Sequence, residues 1–189
     1  LVFVLAIYFL IPPGNQMLTN LGIVDRRQNY VAYDYATNVL AFLQPNAILF
    51  TWGDSGAFPL WYLQIVEKRR PDVTLIHMPH LSTDWYIDLL PQDLLPAQDA
   101  ENDGKDAAQL IEKILHHNIA SRPIYFDFSS AHSVMLPYQL LPYGATYKVL
   151  VPGDKLDEEI WTRYSFRGIL DDTQIARDPD IERTFLMYG

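Results

Sequence analysis

The chain has 189 residues, 49% of them hydrophobic and 20% charged, with a net charge of −9 and a pI near 4.8. That suits one compact domain with a sizeable core, or one domain with a short appendage. It argues against a nucleic-acid partner, because phosphate binding needs clustered Lys and Arg and the compact basic groups here are Arg26-Arg27 and Lys68-Arg69-Arg70. With no cysteine, disulfides, thiolate nucleophiles and cysteine-ligated metals are excluded, while the compartment stays open. No repeat or low-complexity tract is evident.

Leu1 to Ile11, LVFVLAIYFLI, is wholly apolar and stops at Pro12-Pro13-Gly14. A bilayer span takes about 20 such residues, so this is half a span at most. Residues 1–13 are read as the exit end of a transmembrane helix; a buried strand or helix and an artefact of the chain's start are the alternatives. The start at Leu1 in place of Met suggests truncation or processing. A signal peptide fits poorly, since no basic stretch precedes the run and no small-residue cleavage site follows it. Residues 14–28 are polar and turn-rich and are expected to be a linker to an α/β domain over 29–189.

From Asn29 to Leu43 the positions Tyr30, Val31, Asp34, Tyr35, Asn38, Val39 and Phe42 recur at helical steps, which predicts an amphipathic helix ended by Pro45. Ala47 to Trp52 reads as a buried strand, and Gly53-Asp54-Ser55-Gly56 as the tight turn after it. A helix is expected from Phe58, with Pro59 in its first turn. Ligands of βαβ units gather beyond the carboxyl ends of the strands, where the next helix offers unpaired N–H groups. Trp52, Asp54 and Ser55 therefore stand where a binding site would be. The plainer alternative is that Asp54 or Ser55 caps the helix and the glycines make the turn.

Val73 to Met78 predicts a second strand, parallel to the first through a right-handed crossover. His77, His80 and Asp84 follow at its carboxyl end. With Asp54 nearby they are candidate metal ligands, but the spacing matches no defined ligand pattern, and hydrogen-bonded structural histidines are the commoner case. Ser82 or Thr83 reads as the cap of a short helix through Trp85 and Leu90.

Pro91 to Asp103 reads as a variable loop, and Lys105 to Ile119 as a helix with Ala108, Leu110, Ile111, Ile114 and Leu115 inward. Ile124 to Phe128 predicts a third strand. Asp127 and His132 are a candidate acid/base pair, although nothing supplies a nucleophile between them. Met135 to Tyr143, with two prolines, is expected to be irregular with a short helical piece, and Thr146 to Val151 a fourth strand. Ile160 to Gly168 is read as an edge strand or arm, and Pro179 to Met187 as a last helix. The fold class expected is α/β, a three-layer, mainly parallel, Rossmann-like sheet with a short N-terminal membrane-helix remnant.

Several strings, in order, carry a resemblance: DRRQNYVAYDYATNVLAFLQPNAILFTWGD, FPLWYLQ, RPDVTLIHMPHLSTDWYI, RPIYF, LPYGATYKVLVP, and RGILDD with IERTF. From about Asp25 to its end the chain resembles the soluble region that follows the transmembrane helices in bacterial and animal membrane proteins similar to protein O-mannosyltransferases. The resemblance implies a polytopic GT-C-type glycosyltransferase using a lipid-phosphate sugar donor, with this domain outside the cytoplasm. In such enzymes the catalytic acid lies among transmembrane helices, so no residue here inherits that role. Neither a catalytic residue nor a cofactor is assigned. The family pattern GDNDTFPLWYLQ also differs from this chain, where Ser55, Gly56 and Ala57 replace an amide, a carboxylate and a hydroxyl.

The reading is thus an extracytoplasmic domain of a glycosyltransferase-like membrane protein, non-catalytic by itself, with a membrane, a glycan or lipid-linked sugar, and membrane-protein subunits as partners. The binding residues are Asp54, Ser55, Trp52, His77, His80 and Asp84. The aromatics Trp52, Phe58, Trp61 and Trp85 suit stacking on sugar faces, although Trp61 and Trp85 are read as core. The alternative is a membrane-anchored accessory or structural subunit that has lost enzymatic activity. A stand-alone hydrolase is third, for want of a Gly-x-Ser-x-Gly elbow.

Overall fold

The computed structural model describes residues 2–25, 27, 29–96, 106–132 and 138–154. The expected edge strand at 160–168 and last helix at 179–187 lie outside the described residues. The chain divides into two units, Leu1–Tyr30 and Val31–Gly189.

The first unit is helix α1, Val2–Val24, which runs through Pro12 and Pro13 where a stop and a linker were expected. The apolar run does not extend with it, because Pro12-Pro13-Gly14-Asn15-Gln16 interrupts it. Among the described residues no helix is long and apolar enough to cross a membrane.

In the second unit, α2 (Val31–Phe42) is followed by β1 (Ile48–Thr51), α3 (Asp54–Trp61), β2 (Thr74–His77), α4 (Asp84–Ile87), α5 (Ala107–Asn118), β3 (Ile124–Phe126), α6 (Phe128–Ala131), β4 (Leu140–Tyr143) and β5 (Thr146–Val149). The sheet order is β2-β1-β3-β5-β4. Strand β1 pairs in parallel with β2 and β3, in registers Phe50 to Ile76 and Phe50 to Phe126. Strand β5, however, runs antiparallel to both β3 and β4. The sheet is mixed, correcting the expectation of a mainly parallel one. The cause is local: β4 and β5 are joined by two residues, Gly144 and Ala145, and so short a link can only return the chain antiparallel.

Strand β4 replaces the irregular stretch expected before Tyr143. Its Pro142 sits on the sheet's edge, where a missing donor is tolerated. Period-2 alternation sends side chains to two faces. Leu49, Leu75 and Tyr125 pack with Tyr35, Ala36, Val39 and Leu40 of α2 and Leu60 of α3. Ile48, Phe50, Ile76, Ile124 and Phe126 pack with Leu110, Ile111, Ile114 and Leu115 of α5. The periodicity of α5 predicts this face except at Ala108, which is exposed. Asp106 caps that helix, accepting from Ala108 N at 3.0 Å.

Arg70 closes the other end of α2. Its guanidinium donates to the carbonyls of Leu40, Leu43 and Gln44 and pairs with Asp72 at 2.8 Å. The hydrogen bond from Arg70 holds the Asp72 carboxyl well below its ordinary value, and Asn46 N adds to it while slight burial opposes. One ammonium could not reach three carbonyls in this fork. Arg70→Lys and Arg70→Met are expected to lose about 1 and about 2 kcal/mol of stability respectively, measured by urea denaturation, because charge-assisted bonds to helix-end carbonyls go unreplaced.

Candidate functional site

The connection from β1 leads to β2 on one side, and that from β2 returns to β3 on the other. The carboxyl ends of β1 and β3 therefore flank a switch point, the usual crevice of an α/β sheet. Here the crevice is filled by protein. Asp127, directly after β3, is 2% exposed; its Oδ2 accepts from Trp52 N at 3.2 Å and its Oδ1 from Ser130 N at 2.6 Å. Burial pushes its carboxyl up to about 6, against the lowering effect of those hydrogen bonds. The phenol of Tyr35, buried, is raised well above its ordinary value by burial and then by the Asp127 charge.

Gly56 in α3 backs onto both groups. A Cβ there would lie 2.9 Å from Asp127 Oδ2 and 3.3 Å from Tyr35 Oη. A side chain at position 56 would therefore displace the Asp127 carboxylate. Asp127 and His132 do not form the acid/base pair considered from sequence: His132 Nδ1 sits 2.8 Å from the Phe128 carbonyl and its ring stacks on Phe128.

Helix α3 begins at Asp54, earlier than expected, so Pro59 lies inside it and not in its first turn. Gly53, at φ +84°, is the N-cap, and no side chain caps the helix. Asp54 and Ser55 are not caps, then; both are exposed at the start of α3. A π-helical turn, Tyr62–Val66, extends α3.

The open part of the site lies on the β2 side. His77 ends β2, buried, with its Nδ1 3.3 Å from Thr51 Oγ1 and its backbone N–H donating to the Tyr86 hydroxyl at 2.7 Å. Burial lowers its pKa, His80 adds in the same direction, and the Asp54 charge opposes both. His80 is the hub of an aromatic cluster: its ring lies 4.6 Å from that of His77, 5.4 Å from Tyr86, 5.5 Å from Trp85 and 6.2 Å from Trp61. Phe58 stacks on Trp61 at 5.5 Å.

Of the residues singled out from sequence, His77 and His80 touch, and Asp54 is within electrostatic range of His77. Trp52, 43% exposed, contributes its backbone N–H to Asp127. Asp84 is exposed on α4 next to Trp85. Trp85, read as core, is 57% exposed, while Trp61 is half-buried against both sides of the core. Among the described residues no three His, Asp or Glu side chains gather to hold a metal ion. Tyr86 was not legible as part of the site, since its role depends on a bond to the end of a strand nine residues earlier.

Residues 32–102, which hold α2, β1, α3, β2 and this cluster, match the family model described as TMEM260-associated domain 2. The protein O-mannosyl-transferase tmem260 of Dictyostelium discoideum is 30% identical over 159 residues, covering 80% of this chain and 19% of that protein. The protein O-mannosyl-transferase TMEM260 of Mus musculus is 33% identical over 79 residues, 42% of this chain and 11% of that protein. The chain thus spans less than a fifth of the length of these relatives. No solved structure matches it.

Proposed function

We propose, from the premise that this chain carries a domain related to the protein O-mannosyl-transferases, that it is the extracytoplasmic domain of a glycosyltransferase-like membrane protein. By itself it is non-catalytic and holds a glycan or lipid-linked sugar at the carboxyl ends of β1 and β2. The observation that carries this reading is the half-open aromatic cluster beside Asp54, with Trp85 57% and Phe58 50% exposed. Exposed rings of this kind offer flat apolar faces to the C–H side of a sugar, and a carboxylate nearby accepts from its hydroxyls. Asp54, Ser55, Trp52, His80 and Asp84 form the polar rim, with His77 held neutral beneath. The same reading takes the fold as three-layered and Rossmann-like, supported by α2 and α3 on one face and α5 on the other.

The test is titration of the chain with α-methyl mannoside and a mannosyl phosphate, followed by backbone amide shifts. Trp85→Ala and Asp54→Ala are each expected to weaken binding about tenfold, with thermal stability unchanged for the exposed Asp54 and slightly lowered for Trp85, whose ring packs on His80 and Tyr86. Equal affinity in wild type and both variants would sink the site. The second reading, an accessory subunit that has lost activity, is favoured by Gly56, where the resemblance implies a second carboxylate and where any side chain would crowd Asp127 and Tyr35. Sequencing the gene upstream of Leu1 separates the two: many hydrophobic spans fit a transferase, one span an accessory subunit.

A further inference from the structure

A cavity of about 210 Å³ lies at the opposite end of the sheet, against the amino ends of β1 and β3, and it belongs to neither the aromatic cluster nor the switch point. Its polar lining comes from Gln44 after α2, Ser121 and Arg122 before β3, Lys148 in β5, and Asp154. Ile119, Ile124 and Val149 give it an aliphatic wall. The cavity is open to solvent on one side and has room for several waters or a small polar molecule.

Lys148 is the unusual member. It is 4% exposed, and its Nζ donates to Asp154 Oδ1 at 2.7 Å. An ammonium has three N–H groups, and this bond uses one; among the described residues no second acceptor is hydrogen-bonded to Nζ. Buried charges are normally fully hydrogen-bonded, so the remaining donors call for acceptors from whatever fills the cavity. Asp154 Oδ2 accepts from Val151 N at 3.1 Å, which fixes the carboxylate in place. Gln44 is held through its Oε1 by the Tyr125 hydroxyl at 3.1 Å, so its amide N–H₂ end is the one left to donate. Arg122 is anchored through Nε to the Asn46 carbonyl and through Nη2 to Thr74 Oγ1, at 2.9 and 2.6 Å.

A donor and an acceptor side by side, both immobilised, match two neighbouring hydroxyls: one accepts from the ammonium while the other donates to the carboxylate. A free phosphate would find the Lys148 charge already neutralised by Asp154 and Arg122 already donating to the Asn46 carbonyl and Thr74 Oγ1, and a purely apolar molecule would leave the Lys148 donors unmet. We propose that this cavity is a second binding site, specific for a small neutral polyol of monosaccharide size bearing vicinal hydroxyls, held by Lys148 and Asp154 with Gln44 and Arg122 at its rim.

The full chain is titrated with D-mannose, D-glucose, myo-inositol and, separately, inorganic phosphate, while backbone amide shifts are recorded. The expected result is saturable shifts at Ser121, Arg122 and Val149 with at least one polyol and not with phosphate. Lys148→Met, close in shape to lysine, and Ala120→Trp, which places a large ring at the exposed mouth, should each weaken binding at least tenfold. Asp54→Ala should leave it unchanged, which separates this site from the one proposed above. Thermal unfolding checks that both cavity variants fold; if Lys148→Met does not, Ala120→Trp decides. No shifts around Ser121 with any polyol, stronger shifts with phosphate, or wild-type affinity in a folded cavity variant would each overturn the proposal.

Discussion

Gly144→Ala is expected to destabilise the domain by about 3 kcal/mol, measured by urea denaturation, even though it adds one methyl group. Gly144 is the first of two loop residues between β4 and β5, at φ +59°, and the only one of the pair with positive φ, the pattern of a type II′ hairpin turn. An alanine there carries a left-handed penalty of about 1 kcal/mol or more. Its Cβ would also lie 2.5 Å from Cγ and Cδ2 of Phe42, a ring 1% exposed at the end of α2. Overpacking of that kind costs about 1 to 3 kcal/mol, and neither backbone nor ring has free space to retreat into. The steric part is separable: Phe42→Leu should cost less in the Gly144→Ala background than in wild type, because it removes the ring that the methyl strikes. Strict additivity would mean that the strain is conformational alone.

The second large effect is on the pH dependence of stability. Asp127 is pushed up to about 6 in the folded chain, mainly by burial, from an ordinary value near 3.8. A raised carboxyl binds its proton more tightly when folded, so its contribution to stability is fully present below the unfolded value, where both forms are protonated, and is lost as pH rises through the folded value. The sign is therefore opposite to that of a salt-bridged acid: stability falls as pH rises from about 4 to about 6 and is level on either side. Two pKa units correspond to about 3 kcal/mol. Comparing Asp127→Asn with wild type by denaturation at pH 4, 5, 6 and 7 should show wild type losing about that amount of stability relative to the variant across the window. At pH 4 the two should differ little, because folded Asp127 is then a neutral acid that, like the amide, offers one carbonyl acceptor to the two backbone donors Trp52 N and Ser130 N. Asp72 and Asp154 work the other way, since both carboxyls are held low, and the stability they bring is lost as pH falls below about 4. A difference curve flat from pH 4 to 7 would show that Asp127 is charged throughout.

Where a segment's own residues carry the signal, the sequence is a good guide. The apolar runs before Trp52, before Met78 and at Ile124 all become strands, because each is buried on both faces and bounded by turn residues. The stripes of α2 and α5 are legible for the same reason. What local reading misses depends on distant partners. Leu140-Leu141-Pro142-Tyr143 looks like a poor strand until it is known to lie at the sheet's edge. That β4 and β5 run in opposite directions follows from a hairpin with a two-residue loop, which rules out an all-parallel sheet. Asp127 looks catalytic in sequence, and its burial is set by a backbone donor 75 residues away. At the candidate site, the two strand ends account for the nearness of His77, His80 and Asp54 to one another. The exposure of Trp85 and the crowding at Gly56 were not readable, since both are properties of the assembled surface.

The central position of β1 also governs the order in which the chain can mature. Its partner on one side arrives soon, but its partner on the other is far along the chain, as the Arg122 bond to the Asn46 carbonyl across 76 residues makes plain. Closing so long a loop costs entropy before any pairing compensates it, which places assembly among the slower classes of small domains. During synthesis, β1 and β2 emerge with one flank uncovered until Phe126 has cleared the ribosome. Until then the β3-facing edge of β1 carries unpaired backbone N–H and C=O groups, the feature that makes an incomplete sheet prone to association.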